Sequence, residues 1–113
     1  MDDLYLELQT KTKQLEASIR QLRTSGTEYA QAERDYKVLL RQVCLKLRDE
    51  GMAIGLIDKT CYGVQSVADA RFKRDVAEAV FIANKEAIAS IKLQLRLIEN
   101  QIQREWGGLS NTL

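Results

Sequence analysis

The sequence predicts an all-α fold: a long antiparallel helical hairpin of coiled-coil type, with a short helical cap at its tip, pairing into a four-helix bundle. Three observations predict it. One amphipathic stripe runs from about Tyr5 to Leu47, a second runs from about Val67 to Ile102, and the 113 residues contain no proline and only 6 glycines. Apolar residues recurring at alternating steps of three and four mark a helix with one buried face. A chain with so few helix breakers has few places to turn.

The first helix is expected over about residues 3–50. Its seam reads Tyr5, Leu8, Thr12, Leu15, Ile19, Leu22, Gly26, Tyr29, Glu33, Tyr36, Leu40, Val43 and Leu47. Thr12, Gly26 and Glu33 are its weak positions, being polar or lacking a side chain. Ser25-Gly26-Thr27-Glu28 also has the spacing of a capping box and offers a place to start a new helix. A continuous helix of about 70 Å, by the rise of 1.5 Å per residue, matches the roughly 60 Å expected of the last helix, whereas a break would leave half of that partner uncovered. Since one interior glycine costs only about 1 kcal/mol relative to alanine, continuity with a kink at Gly26 is the expectation.

Gly51 ends this helix, because glycine adopts the left-handed conformation that closes helix C-termini. The tip segment, 51–65, contains Ile54, Leu56 and Ile57 and closes near Gly63, which fits one or two helical turns over the end of the hairpin. Ser66-Val67-Ala68-Asp69 resembles an N-cap with an acidic residue three positions on, so the last helix is expected over about 66–106. Its stripe is Ile88, Ile91, Leu95, Ile98 and Ile102, with Phe72, Val76, Val80 and Ala83 on a slightly drifted line nearer its start. Trp106-Gly107-Gly108 is expected to stop it, with Trp106 as a hydrophobic lock and 107–113 as a frayed tail. The whole chain, 1–113, reads as a single helical domain.

The last helix carries apolar residues on two faces. Ile82, Ala89, Leu93 and Leu97 lie nearly opposite the inner stripe and form a candidate oligomer seam. Burying each leucine or isoleucine contributes about 1.5–3 kcal/mol, so self-association, with a dimer favoured, is the expected outcome.

Composition narrows the function classes. There is no histidine, which removes the commonest general base and the Ser-His and Cys-His arrangements. The glycines lack the spacing of a phosphate cradle. No catalytic residue, metal ligand set or cofactor-binding residue is assigned, and the chain is expected not to be an enzyme. Cys44 and Cys61 would approach each other if the helices fold back, but two cysteines without histidine cannot complete a structural zinc site. The longest apolar run, Ala79–Ala83, falls far short of the roughly 20 residues that span a bilayer, so no membrane segment is expected. The start Met1-Asp2-Asp3 lacks the basic and apolar regions of a secretory signal, so a cytosolic location with reduced thiols is the expectation.

Lys and Arg number 17 against 16 Asp and Glu, yet the charge is unevenly spread. Residues 34–74 hold nine basic against five acidic side chains, a net of +4. A fold-back at the tip would gather Arg41, Arg71, Lys73 and Arg74 into a candidate nucleic-acid patch. Interspersed acids argue for an ordinary solvated face, with Glu33–Lys37 and Asp69–Lys73 as surface pairs. Leu47 to Val67 also echoes a helix-turn-helix skeleton, but Lys59 stands where that motif wants a small residue.

The stretches Ala32–Tyr36 (AERDY), Ala70–Ala79 (ARFKRDVAEA) and Leu97–Trp106 (LIENQIQREW) resemble those of small uncharacterised coiled-coil proteins from the early or recombination region of phages and prophages of Gram-positive bacteria. The resemblance covers about residues 28–107. It implies a setting, the cytosol of a bacterial host, and carries over no functional residues. In that setting the expected role is a non-enzymatic adaptor that binds a host, defence or phage protein through the exposed tip residues Met52, Ile54, Leu56 and Tyr62. The alternative is a DNA-binding accessory protein of phage replication or recombination using the basic patch.

Overall fold

The computed structural model describes residues 2–112, with side-chain surroundings for residues 3–107. Every described element is helical: α1 (Asp2–Asp49), α2 (Ile54–Thr60), a 3-10 turn (Cys61–Gly63) and α3 (Gln65–Thr112). The architecture is a helical hairpin with a short helical cap at the tip. Its residues form two compact units, a terminal unit of Met1–Arg23 with Ile82–Leu113 and a tip unit of Thr24–Phe81.

In the terminal unit, Leu8, Leu15 and Leu22 face inward at their heptad spacing, against buried Ile88, Ile98 and Ile102 and half-buried Ile91 and Leu95 of α3. The alternate row differs from expectation. Leu4, Lys11 and Ser18 are half-buried, whereas Tyr5, Thr12 and Ile19 are exposed. Ser18 is smaller than Ile19, and Lys11 can lay its aliphatic stem in the seam while its ammonium reaches water. Thr12 instead donates its hydroxyl to the Leu8 carbonyl at 2.8 Å. Tyr5 accepts a hydrogen bond from Trp106 Nε1 at 3.2 Å, so Trp106, about half exposed, is a polar clasp rather than a hydrophobic lock.

In the tip unit, α1 turns Ser25, Ala32 and Tyr36 fully inward, with Gly26, Tyr29, Leu40, Val43 and Leu47 half-buried beside them. Facing them, α3 presents Val67, Ala70, Arg74, Ala77 and Phe81. This corrects the expected line of Phe72, Val76, Val80 and Ala83, all of which are exposed. Two contacts set the rotation of α3 here. The Phe81 ring lies 5.8 Å from that of Tyr29, tilted by 33°, and the Arg74 guanidinium sits 4.7 Å above the Tyr36 ring. With Arg74 inward, Phe72 and Val76, each two residues away, are carried about 200° round the helix and face out.

Gly26 lies within α1, which continues through it without interruption. A Cβ there would come within 3.2 Å of Phe81 Cε2, so the missing side chain makes room for the ring. Gly51, at φ 90°, ends α1 as expected. Met52 N–H donates to the Leu47 carbonyl at 3.1 Å and Gly51 N–H to that of Arg48 at 3.0 Å, the paired bonds of a Schellman cap.

The start of α3 departs from the capping-box expectation. Val64 is the extended residue before it, and the Ala68 N–H donates to the Val64 carbonyl at 2.9 Å, which places Ser66 inside the first turn. Asp69 accepts from Gln65 Nε2 at 2.8 Å, and among the described residues it forms no ion pair with Lys73. Nor does α3 stop at Gly107–Gly108; its backbone continues to Thr112. Glycine lowers helix propensity without abolishing it. Side chains of the expected tail beyond Gly107 lie outside the described residues.

Candidate functional site at the hairpin tip

The tip is built on a small buried base. Ile57 of α2, Cys61 of the 3-10 turn and Val67 of α3 are buried, the last two almost completely. A helix of seven residues cannot bury two faces. With Ile57 turned inward, Ile54 and Leu56 are left 74% and 55% exposed, beside Tyr62 at 47%. Met52 is half-buried, the least available of the four residues expected to bind a partner.

Two clefts flank this surface. One of about 210 Å³ is lined by Arg41, Cys44, Leu45, Arg48, Ile54, Ile57 and Asp58. The other, of about 340 Å³, is lined by Lys37, Leu40, Arg41, Cys44, Asp58, Cys61 and Tyr62. Both combine an apolar floor with basic side chains and one acid, Asp58. Leu45, 52% exposed, extends the apolar surface onto α1. Leu45 and Asp58 were missed as site residues because only the fold-back of α2 brings them beside Arg41 and Arg48.

The four residues of the expected nucleic-acid patch have unequal roles. Arg41 is exposed and lines both tip clefts. Arg71 lies 5.8 Å over the Tyr62 ring. Lys73 lines a different cleft of about 560 Å³, with Ala32, Val76, Ala77 and Val80 on its floor and Glu28 and Asp35 among its walls. Arg74 is committed internally: its side chain is only 21% exposed, it stacks on Tyr36, and its Nη2 and Nε donate to Asp75 at 2.8 and 3.0 Å. The Asp75 carboxylate raises the proton affinity of the guanidinium. Tyr29, in the same seam, has its phenol pushed up by burial and by Glu33 and Glu78. The Glu33–Lys37 pair is present at 3.4 Å.

The expected oligomer seam lies in the terminal unit. Ile82, Ala89, Leu93 and Leu97 are all exposed, the two leucines by 53% and 58%. Leu97 borders a cleft of about 350 Å³ shared with Glu7, Lys11, Gln94, Ile98 and Gln101. Gln94 Nε2 donates to Ser90 Oγ at 3.4 Å, while Gln94 Oε1 is buried without a partner.

Among the described residues no three His, Cys, Asp or Glu side chains converge as metal ligands, and no helix is long and apolar enough to cross a membrane. Comparison with protein-family models, curated proteins and solved structures returned no match to this chain.

Proposed function

We propose that this chain is a non-enzymatic interaction module that binds a protein partner through its hairpin tip and pairs with a second copy through the Leu93/Leu97 face. The observation that carries the reading is the exposure of Ile54, Leu56 and Tyr62 on a cap whose base, Ile57, Cys61 and Val67, is buried. Exposed apolar side chains on a fixed support lose little conformational freedom on binding, and aromatic anchors contribute most at interface centres. The proposed phage or prophage setting is supported only by the resemblance of Ala32–Tyr36, Ala70–Ala79 and Leu97–Trp106.

The test is affinity capture from bacterial lysate with nuclease present, comparing the native chain with Ile54→Glu/Leu56→Glu and with Arg41→Glu/Arg71→Glu. A partner retained by the native chain and the arginine variant but lost from the apolar variant supports the adaptor reading. Capture abolished by nuclease, by salt and by Arg41→Glu/Arg71→Glu replaces it with the nucleic-acid reading. That second reading draws its support from Arg41, which lines both tip clefts beside Lys37 and Arg48. For self-association, Leu93→Glu with Leu97→Glu is expected to halve the mass measured by light scattering, and an unchanged mass refutes the seam.

A further inference from the structure

The cleft of about 340 Å³ at the tip contains both cysteines of the chain. Cys44 lies near the end of α1, and Cys61 opens the 3-10 turn that follows α2. They differ in access. Cys61 is 1% exposed, and its thiol donates to the Asp58 carbonyl at 3.6 Å. Cys44 is half-buried and is the more accessible of the two. Burial pushes the Cys61 thiol up, and the Cys44 thiol beside it pushes the same way.

We propose that Cys44 and Cys61 are an oxidative modification site, closing to an intramolecular disulfide when hydrogen peroxide enters the cleft and thereby tying α1 to the cap. The inference rests on the cleft and is independent of the partner reading above. The Cys44 thiolate attacks one peroxide oxygen; the S–O bond forms, the O–O bond breaks, and the departing hydroxide takes a proton to become water. Cys61, having released its proton to solvent, attacks the Cys44 sulfur. The S–S bond forms, the S–O bond breaks, and the second hydroxide leaves as water. The two sulfurs together lose two electrons, and the peroxide is reduced to two waters.

The division of labour follows from burial. The accessible sulfur is oxidised first, while the enclosed one stays a thiol until its neighbour becomes an electrophile. Lys37 and Arg41 stand in the wall of the same cleft. The closed bond would span Gly51 and α2, so it would restrain the segment that carries Ile54 and Leu56.

The experiment treats the reduced full-length chain with peroxide and reads intact mass, free thiols and a non-reducing tryptic map. Expected are the joint loss of both thiols, a mass decrease of about 2 Da, and a linked peptide pair, Gln42–Lys46 with Thr60–Arg71. Dithiothreitol should reverse all three. The variant Cys61→Ala should stop at a dimedone-reactive sulfenic acid on Cys44, and Cys44→Ala should leave Cys61 a thiol at the same dose, with far-UV circular dichroism reporting that both variants fold. Sulfinic acid on Cys44 with Cys61 still free, a disulfide between chains, or no thiol loss until the chain is unfolded in urea would each overturn the proposal.

Discussion

Enlarging Gly26 tests the packing of the tip unit directly. At an exposed helix position, glycine to alanine gains about 0.8–1.0 kcal/mol. Here the new Cβ would lie 3.2 Å from Phe81 Cε2 and 3.6 Å from Cδ2, the first inside the ~3.5–4.0 Å optimum for carbon pairs. The ring must therefore retreat by a few tenths of an ångström. Gly26→Ala should fall within about 1 kcal/mol of the native chain, its propensity gain offset by the crowding. Leucine projects further into the space the ring occupies. Overpacking of this kind costs about 1–3 kcal/mol, more than leucine's propensity gain of about 0.8, so Gly26→Leu should destabilise by a net of about 0.2–2 kcal/mol. In a Phe81→Ala background the obstruction is gone, and both substitutions should stabilise. Urea titrations followed by circular dichroism complete the cycle, with an expected coupling of about 1–3 kcal/mol. If Gly26→Leu stabilises equally in both backgrounds, Phe81 does not lie over Gly26 and the assigned rotation of α3 is wrong.

Gly51→Ala should cost about 1–2 kcal/mol, the penalty of a side chain in the left-handed conformation, although nothing lies within 4 Å of the new Cβ; a midpoint unchanged in urea would refute the Schellman cap. The Cys61 thiol has its folded pKa raised above the ordinary 9.0, so the folded state holds the proton more tightly. Its contribution is fully present below that value and is lost as pH rises through the raised folded pKa, so thermal unfolding scanned from pH 8 upward should show an alkaline decline that Cys61→Ala reduces. Phe72, 71% exposed, should tolerate Phe72→Ser with a stability change within about 0.5 kcal/mol, and a loss of several kcal/mol would return it to the core.

The parts of the fold that were legible in the sequence are those set by one helix at a time. Leu8, Leu15 and Leu22 declare an inner row by spacing alone, as do Ile88, Ile91, Leu95, Ile98 and Ile102, because each run has one dominant apolar face. Gly51 was legible because few residues other than glycine close a helix in this way. Ile54 and Leu56 were expected at the exposed tip, but that Ile57 is the one turned inward was not legible, since a short apolar run has no spacing that selects its buried face. The rotation of α3 in the tip unit was not. Its two rival faces, Phe72/Val76/Val80 and Arg74/Ala77/Phe81, both have helical spacing, and hydropathy favours the wrong one. The decision comes from pairings across the hairpin, Phe81 over Gly26 and Arg74 over Tyr36, that no local pattern contains. The same pairing explains why Arg74, grouped by charge with Arg41, Arg71 and Lys73, is withdrawn from the surface.

The tip unit is thus partly inverted, with a half-buried arginine in the seam and a row of phenylalanine and valines outside. Rotating α3 by about half a turn would bury Phe72, Val76 and Val80, each gaining about 1.5–3 kcal/mol on full burial. The same rotation would remove Phe81 from Gly26 and Tyr29, expose the wholly buried Val67, and break the stack of Arg74 on Tyr36. Arg74 can stay inside because Asp75 and the Tyr36 ring replace part of its hydration. An arginine at one seam position also discriminates between rotations more sharply than another alanine or valine would, since a misplaced guanidinium would be left without partners. Fixing the rotation in this way leaves Val76 and Val80 beside Ala32 and Ala77 in an open cleft. The cost is apolar area left in water, on the same unit that carries Ile54, Leu56 and Tyr62, and that is the unit we propose to meet a partner.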